Sequence, residues 1–89
     1  MVEVDIDNRR QRIDEIDLQL TKLLNERMSC ALQIGQIKKM LGRPIRDVER
    51  ERALLQKLKD VNEGPMRDQT IEEIFLRIIA EAVYLEEED

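Results

Sequence analysis

Residues 6–41 read IDNRRQRIDEIDLQLTKLLNERMSCALQIGQIKKML. The apolar members Ile6, Ile13, Ile16, Leu20, Leu23, Leu24, Ala31, Ile34, Ile37 and Leu41 recur mostly at spacings of three and four, the period of one face of an α-helix. The spacing predicts a single unbroken helix over 6–41, about 36 residues and so ~54 Å long. Gly42 suits a left-handed C-cap, and Pro44 just beyond it prevents continuation. Working outward, Asp47 reads as the N-cap of a second helix over 47–62, closed by Gly64-Pro65. Asp68 reads as the N-cap of a third helix over 68–87, with Thr70-x-x-Glu73 as a capping box one turn in. The terminal acidic run 86–89 reads as a frayed end.

The chain has 89 residues, which suits one domain spanning 1–89. A compact monomer of this size would bury roughly 64% of its unfolded surface and measure ~30 Å across. The long helix would overhang it. A homodimer resolves the mismatch: two long helices pack together and each chain's shorter helices cover the other. The fold class expected is therefore all-α. Composition agrees, with 42% apolar, 39% charged and 2% aromatic residues, a balance typical of long helices. It also excludes chemistry. With no His, triads built on imidazole and His-ligated metals are ruled out; with one Cys, so are an internal disulfide and a Cys-rich zinc site. A net charge of −5 disfavours nucleic acid as a partner. The opening MVEVDIDNRRQR has no apolar core, and no apolar run approaches ~18 residues. Neither a secretory signal nor contact with a membrane is expected, and the lone Cys30 points to the cytoplasm.

The informative anomaly is which charges interrupt the apolar faces. Arg27 follows Leu23 by four and precedes Ala31 by four; Lys38 follows Ile34 by four; Arg10 follows Ile6 by four and precedes Ile13 by three. On the second helix the stripe is Val48, Leu55, Leu58 and Val61, with Glu51 inside it. On the third it is Ile71, Ile74, Phe75, Ile78, Ile79, Ala82 and Leu85, with Glu86 four residues after Ala82. An unpaired buried charge costs several kcal/mol. Any one of these groups alone reads as a side chain reaching the bundle edge or pairing with a neighbour. Three cations and two carboxylates together read as a pocket for an anionic ligand. Arg27 and Lys38 lie about 16 Å apart along the axis and can converge on one ligand. Arg10 is about 25 Å from Arg27 and cannot join that pocket in the same chain. If two long helices pair antiparallel, the partner's Arg10 can, giving two symmetric sites.

Arg10, Arg27, Lys38, the segment Gly42-Arg43-Pro44-Ile45-Arg46-Asp47 and the pair Arg50-Glu51 closely resemble the all-helical class of chorismate mutase. So do the pattern from Ile13 to Arg27, the segment Ile34-Gly35-x-x-Lys38, and Gly64-Pro65 followed by a helix containing Ile74-Phe75. The resemblance runs along nearly the whole chain. It implies an intertwined, domain-swapped homodimeric bundle of three helices, one long and two shorter. The implied reaction is the pericyclic rearrangement of chorismate to prephenate in aromatic amino-acid biosynthesis. It needs no metal or organic cofactor, and the ligand is a small dianion.

The same resemblance assigns roles. Arg27 and the partner's Arg10 clamp the two carboxylates. Lys38 faces the ether oxygen, on which charge develops. Glu51 accepts from the ring hydroxyl, helped by backbone N–H groups near Asp47. Arg50 pairs with Glu51 or with a substrate carboxylate. Asp47 is open between helix cap and site residue. Two positions depart from, or divide, the pattern. Glu86 stands where some members have Gln as a second donor to the ether oxygen, so it can serve only while protonated. Ala82 stands where some relatives have Ser, so that donor is absent or replaced by water. Arg9, Arg12 and Arg43 read as solvated, Cys30 and Met28 as packing, and Arg46, beside the site loop, is left open. The alternatives are an isochorismate-pyruvate lyase on the same fold, a non-catalytic regulatory or dimerisation domain, and a bare antiparallel coiled-coil module. The set Asp47, Arg50 and Glu51 favours the mutase.

Overall fold

The computed structural model describes residues 2–88. The chain order is α1 (Val2–Met40), α2 (Val48–Val61) and α3 (Asp68–Glu88). The molecule divides into two units between Cys30 and Ala31.

The first unit holds the N-terminal part of α1. The helix begins at Val2 rather than at residue 6. Nothing before Ile6 breaks a helix, and Glu3 and Asp5 place carboxylates in its first turn, where they favour the positive end of the helix dipole. Thr21 Oγ1 donates to the Asp17 carbonyl at 2.9 Å and Asn25 Nδ2 to the Thr21 carbonyl at 3.1 Å, so these polar side chains fold back on the helix. The apolar stripe is at the surface of the single chain: Ile13 is 53% exposed and Leu23 59%.

The second unit holds the last turns of α1 together with α2 and α3. Here α1 ends at Met40, one residue before Leu41, because Gly42 takes a left-handed φ of 68°. Arg43 N donates to the Lys38 carbonyl at 2.8 Å and Gly42 N to that of Lys39 at 3.2 Å. This pair of bonds satisfies carbonyls that a helix end otherwise leaves open. Asp47 caps α2 as expected: its carboxylate accepts the Arg50 N–H at 3.0 Å.

The α2–α3 turn differs from expectation in detail. The first backbone bond of α3 runs from Ile71 N to the Arg67 carbonyl at 3.1 Å, so Arg67 occupies the cap position and Asp68 the first helical one. The Asp68 carboxylate instead accepts from Asn62 Nδ2 at 2.7 Å. Glu73 accepts from Gln69 at 3.2 Å rather than serving a capping box. Asn62 is the hub: its Nδ2 also donates to the Met66 carbonyl at 2.8 Å, and its Oδ1 accepts the Gly64 N–H at 3.2 Å.

Helices α2 and α3 pack on each other, and Leu54, Leu55 and Leu58 on the one and Ile71, Phe75 and Ile78 on the other are half-buried. Lys59 and Glu72 bridge them at 2.6 Å. Leu54 joins the α2 stripe, whereas Val48 and Val61, predicted to belong to it, are exposed because they sit at the ends of the short helix. The acidic run is not frayed: α3 continues through Glu88, and Glu86 is buried. Asp89 lies outside the described residues. Among those residues no helix is long and apolar enough to cross a membrane.

Asn62→Ala removes three side-chain hydrogen bonds from the α2–α3 turn. It is expected to lower stability by about 1–2 kcal/mol, read as a lower midpoint in urea or thermal unfolding at fixed protein concentration; an unchanged midpoint would show that the turn does not depend on it.

Candidate active site

The second unit gathers most of the expected site residues around the α1–α2 loop. Lys38 sits in the last turn of α1, half-buried. Its Nζ donates to the Ile45 carbonyl at 2.7 Å and pairs with no carboxylate among the described residues. It is therefore a fixed cation with two N–H donors left over.

The loop then delivers Arg46, Asp47 and the first turn of α2. With Asp47 as N-cap, Arg46 is the residue before the cap and Glu51 is four residues after it. Those two positions lie side by side, and in many helices they carry an apolar staple. Here they carry an ion pair: Arg46 Nε meets Glu51 Oε2, and a guanidinium nitrogen meets Oε1, both at 3.2 Å. Of the two partners expected for Arg50, Glu51 or a substrate carboxylate, Glu51 is held by Arg46 instead. Arg50 supplies the N–H that Asp47 caps, and its exposed side chain pairs with no carboxylate among the described residues. Asp47 is thus clearly a helix cap, and the Glu51 N–H donates to its carbonyl at 3.1 Å.

Ala82 and Glu86 lie one turn apart on α3 and are both buried, each 7% exposed. The neighbour of Glu86 on α1 is Gly35. A Cβ placed on Gly35 would meet Glu86 Cγ at 2.8 Å, Cβ at 3.0 Å and Cα at 3.2 Å. Only a glycine permits this approach of the two helices. Gly35 and Lys38 are three apart and share a face of α1, so Glu86 is brought to the face that bears the ammonium.

Arg10 and Arg27 belong to the first unit, Arg10 exposed and Arg27 half-buried. Neither pairs with a carboxylate among the described residues. Two residues of the site are not singled out by their spacing. Gly35 carries the signal of an isolated glycine inside a helical pattern. The role of Arg46 follows from its offset to Glu51 once Asp47 is the cap.

Gly35→Ala gains about 1 kcal/mol of helix propensity and costs about 1–3 kcal/mol of overpacking against the Glu86 backbone. The net expectation is a lower unfolding midpoint; a stabilised variant would contradict the close approach.

Comparison with known proteins follows the same lines. Residues 9–87 match the family "Chorismate mutase type II". A bifunctional chorismate mutase/prephenate dehydratase from Neisseria gonorrhoeae is 38% identical over 79 residues, covering 86% of this chain and 21% of the relative. A chorismate mutase from Methanocaldococcus jannaschii is 44% identical over 50 residues, 56% of this chain and 50% of the relative. The solved structure of chorismate mutase (form II) from Thermus thermophilus superposes with a TM-score of 0.90 at 34% identity, covering 92% of this chain and 93% of that one. The chain spans about a fifth of the length of the bifunctional relatives it matches.

Proposed function

The chain belongs to the type II chorismate mutase family, and from that premise we propose that it isomerises chorismate to prephenate as a homodimer with two shared sites, in the cytoplasm. The observation that carries the reading is the loop cluster: a half-buried, carboxylate-free Lys38, a capped α2 terminus bearing Glu51, and a buried Glu86 on the facing helix.

The reaction is unimolecular and pericyclic. One C–O bond breaks while one C–C bond forms, so no nucleophile, proton carrier or metal is required. What a protein can supply is conformer selection and charge. The substrate must fold so that its reacting carbons meet. Two guanidiniums holding two carboxylates impose that fold, and their planar forks fix direction as well as distance. In this proposal they are Arg27 and the partner's Arg10. As the ether bond breaks, negative charge grows on its oxygen. Lys38, already anchored on Ile45, directs a remaining N–H there and gains more in the transition state than in the ground state. Glu51 accepts from the ring hydroxyl, with the α2 N-terminus nearby. Arg50, one residue away and without a carboxylate partner among the described residues, is placed to meet a substrate carboxylate. Glu86 stabilises the ether oxygen only while it carries its proton. Ala82 offers no hydrogen bond and shapes the wall beside it.

The exposed stripe on α1 supports the second copy. Ile13, Leu20 and Leu23 are each about half exposed or more in the single chain, a large apolar face for so small a chain.

Purified protein should convert chorismate to prephenate without releasing pyruvate. Arg27→Ala should lower the rate by about a hundredfold or more with its unfolding midpoint retained. A bare coiled coil would have no activity to lose, and pyruvate release from isochorismate would favour a lyase. Mixing Arg10→Ala with Arg27→Ala subunits should restore about a quarter of wild-type activity, since half the dimers are mixed and each has one intact site. No recovery would sink the shared site.

Glu86→Gln replaces a carboxylate by a hydrogen-bond donor and should raise the rate of chorismate consumption, measured at one fixed pH; an unchanged rate would remove Glu86 from the chemistry.

A further inference from the structure

Glu51 poses an electrostatic difficulty. A carboxylate with a side chain only 15% exposed is asked to accept a hydrogen bond from a ligand that is itself a dianion. Left alone, it would repel the substrate's carboxylates, and its two oxygens would be free to rotate away from the hydroxyl. The structure answers both problems with one residue. Arg46 reaches across the α2 N-terminus and meets both Glu51 oxygens at 3.2 Å. Its own side chain is 65% exposed, and each carboxylate oxygen has a second lone pair beyond the one that Arg46 uses.

We propose that Arg46 is a positioning residue, whose fork across both oxygens of Glu51 fixes the orientation of that carboxylate and cancels its charge toward an anionic substrate. This rests on the reading of the site as one that binds chorismate. The geometry is set by the backbone. Asp47 caps α2, which places the residue before the cap beside the one four after it. Because the pair is bidentate, the carboxylate has one plane rather than a range of rotamers. A lysine at 46 would keep the charge and lose the plane. Orientation acts on the rate, through the hydroxyl contact made on the way to the transition state. Neutralisation acts on affinity, through the repulsion it removes.

The experiment is steady-state kinetics with chorismate on wild type, Arg46→Ala, Arg46→Lys, Glu51→Ala and the Arg46→Ala/Glu51→Ala double variant. Arg46→Ala should lower kcat about tenfold and raise KM. Arg46→Lys should return KM toward wild type while kcat stays low. In the Glu51→Ala background, removing Arg46 should change kcat by less than about twofold, because the group it positions is gone. An equal loss from Arg46→Ala in both backgrounds would overturn the proposal, as would wild-type kinetics for Arg46→Ala. Full recovery of kcat by lysine would overturn the orientation claim. A wild type that does not consume chorismate would instead overturn the functional reading on which the proposal stands. The two failures are thus told apart by the wild-type assay alone.

Discussion

Lys38 closes the turn on which the loop residues of the site hang. Its carbonyl accepts the Arg43 N–H at 2.8 Å, and its ammonium holds the Ile45 carbonyl at 2.7 Å. The chain between is short and passes through Gly42 at a φ of 68°, a conformation that would cost a residue with a Cβ about 1–2 kcal/mol. The result is a loop with one direction of exit. It delivers Arg46 and Asp47 at the head of α2, and Asp47 in turn starts the helix by capping Arg50. A side chain whose place in the stripe marks it as a site cation is thus also a structural clamp. The two uses do not compete, because an ammonium has three donors and the clamp takes one.

The second constraint is apolar surface. Within the single chain the buried set is small: Ala31, Ile79 and Ala82, with Gly35 and Glu86. Against it stand Ile6, Ile13, Ile16, Leu20, Leu23, Leu24, Ile34 and Ile37, all exposed on α1. Bringing one such side chain from half exposure to full burial contributes about 1 kcal/mol. Eight per chain outweigh the difference that any surface ion pair in this molecule makes, at about 0–1 kcal/mol each. The proposed pairing of two long helices follows from this imbalance, and within that proposal the charges in the stripe are the groups assigned to the ligand. A coiled coil built for stability alone would carry Leu or Ile at positions 27 and 38.

What the sequence makes legible is local. The two breaks are legible because Gly42 with Pro44, and Gly64 with Pro65, act through the backbone and need no neighbour. The Asp47 cap is legible for the same reason. The start of α1 is not, since the helix-tolerant residues before Ile6 carry no stop signal. Asp68 has the chemistry of a cap, but Asn62 claims its carboxylate across the turn. The approach of Glu86 to Gly35 depends on how α3 crosses α1, which no spacing along one helix contains. The α1 stripe lies between these cases. Its existence is plain in the sequence, whereas the surface proposed to cover it belongs to another molecule.

Several residues of the candidate site share one property: they break a local rule of stability. Gly35 weakens the middle of a helix by about 1 kcal/mol relative to alanine. Glu86 puts an acidic residue at a buried position, and Lys38 puts an ammonium into an apolar stripe. Arg46 and Glu51 fill staple positions where two apolar side chains would pack without desolvating a charge. Any one of these is ordinary in a natural protein. Their concentration around one loop and the facing turn of α3 is the pattern expected where function rather than folding chose the residues. The departures are also of one kind. Each one brings a polar group to a fixed place or makes room for one to come close. Such an arrangement suits a reaction accelerated by holding a ligand's shape and meeting its charge. It suits less well one that depends on bond-making by the protein, for which the chain has no imidazole and only the exposed Cys30 thiol.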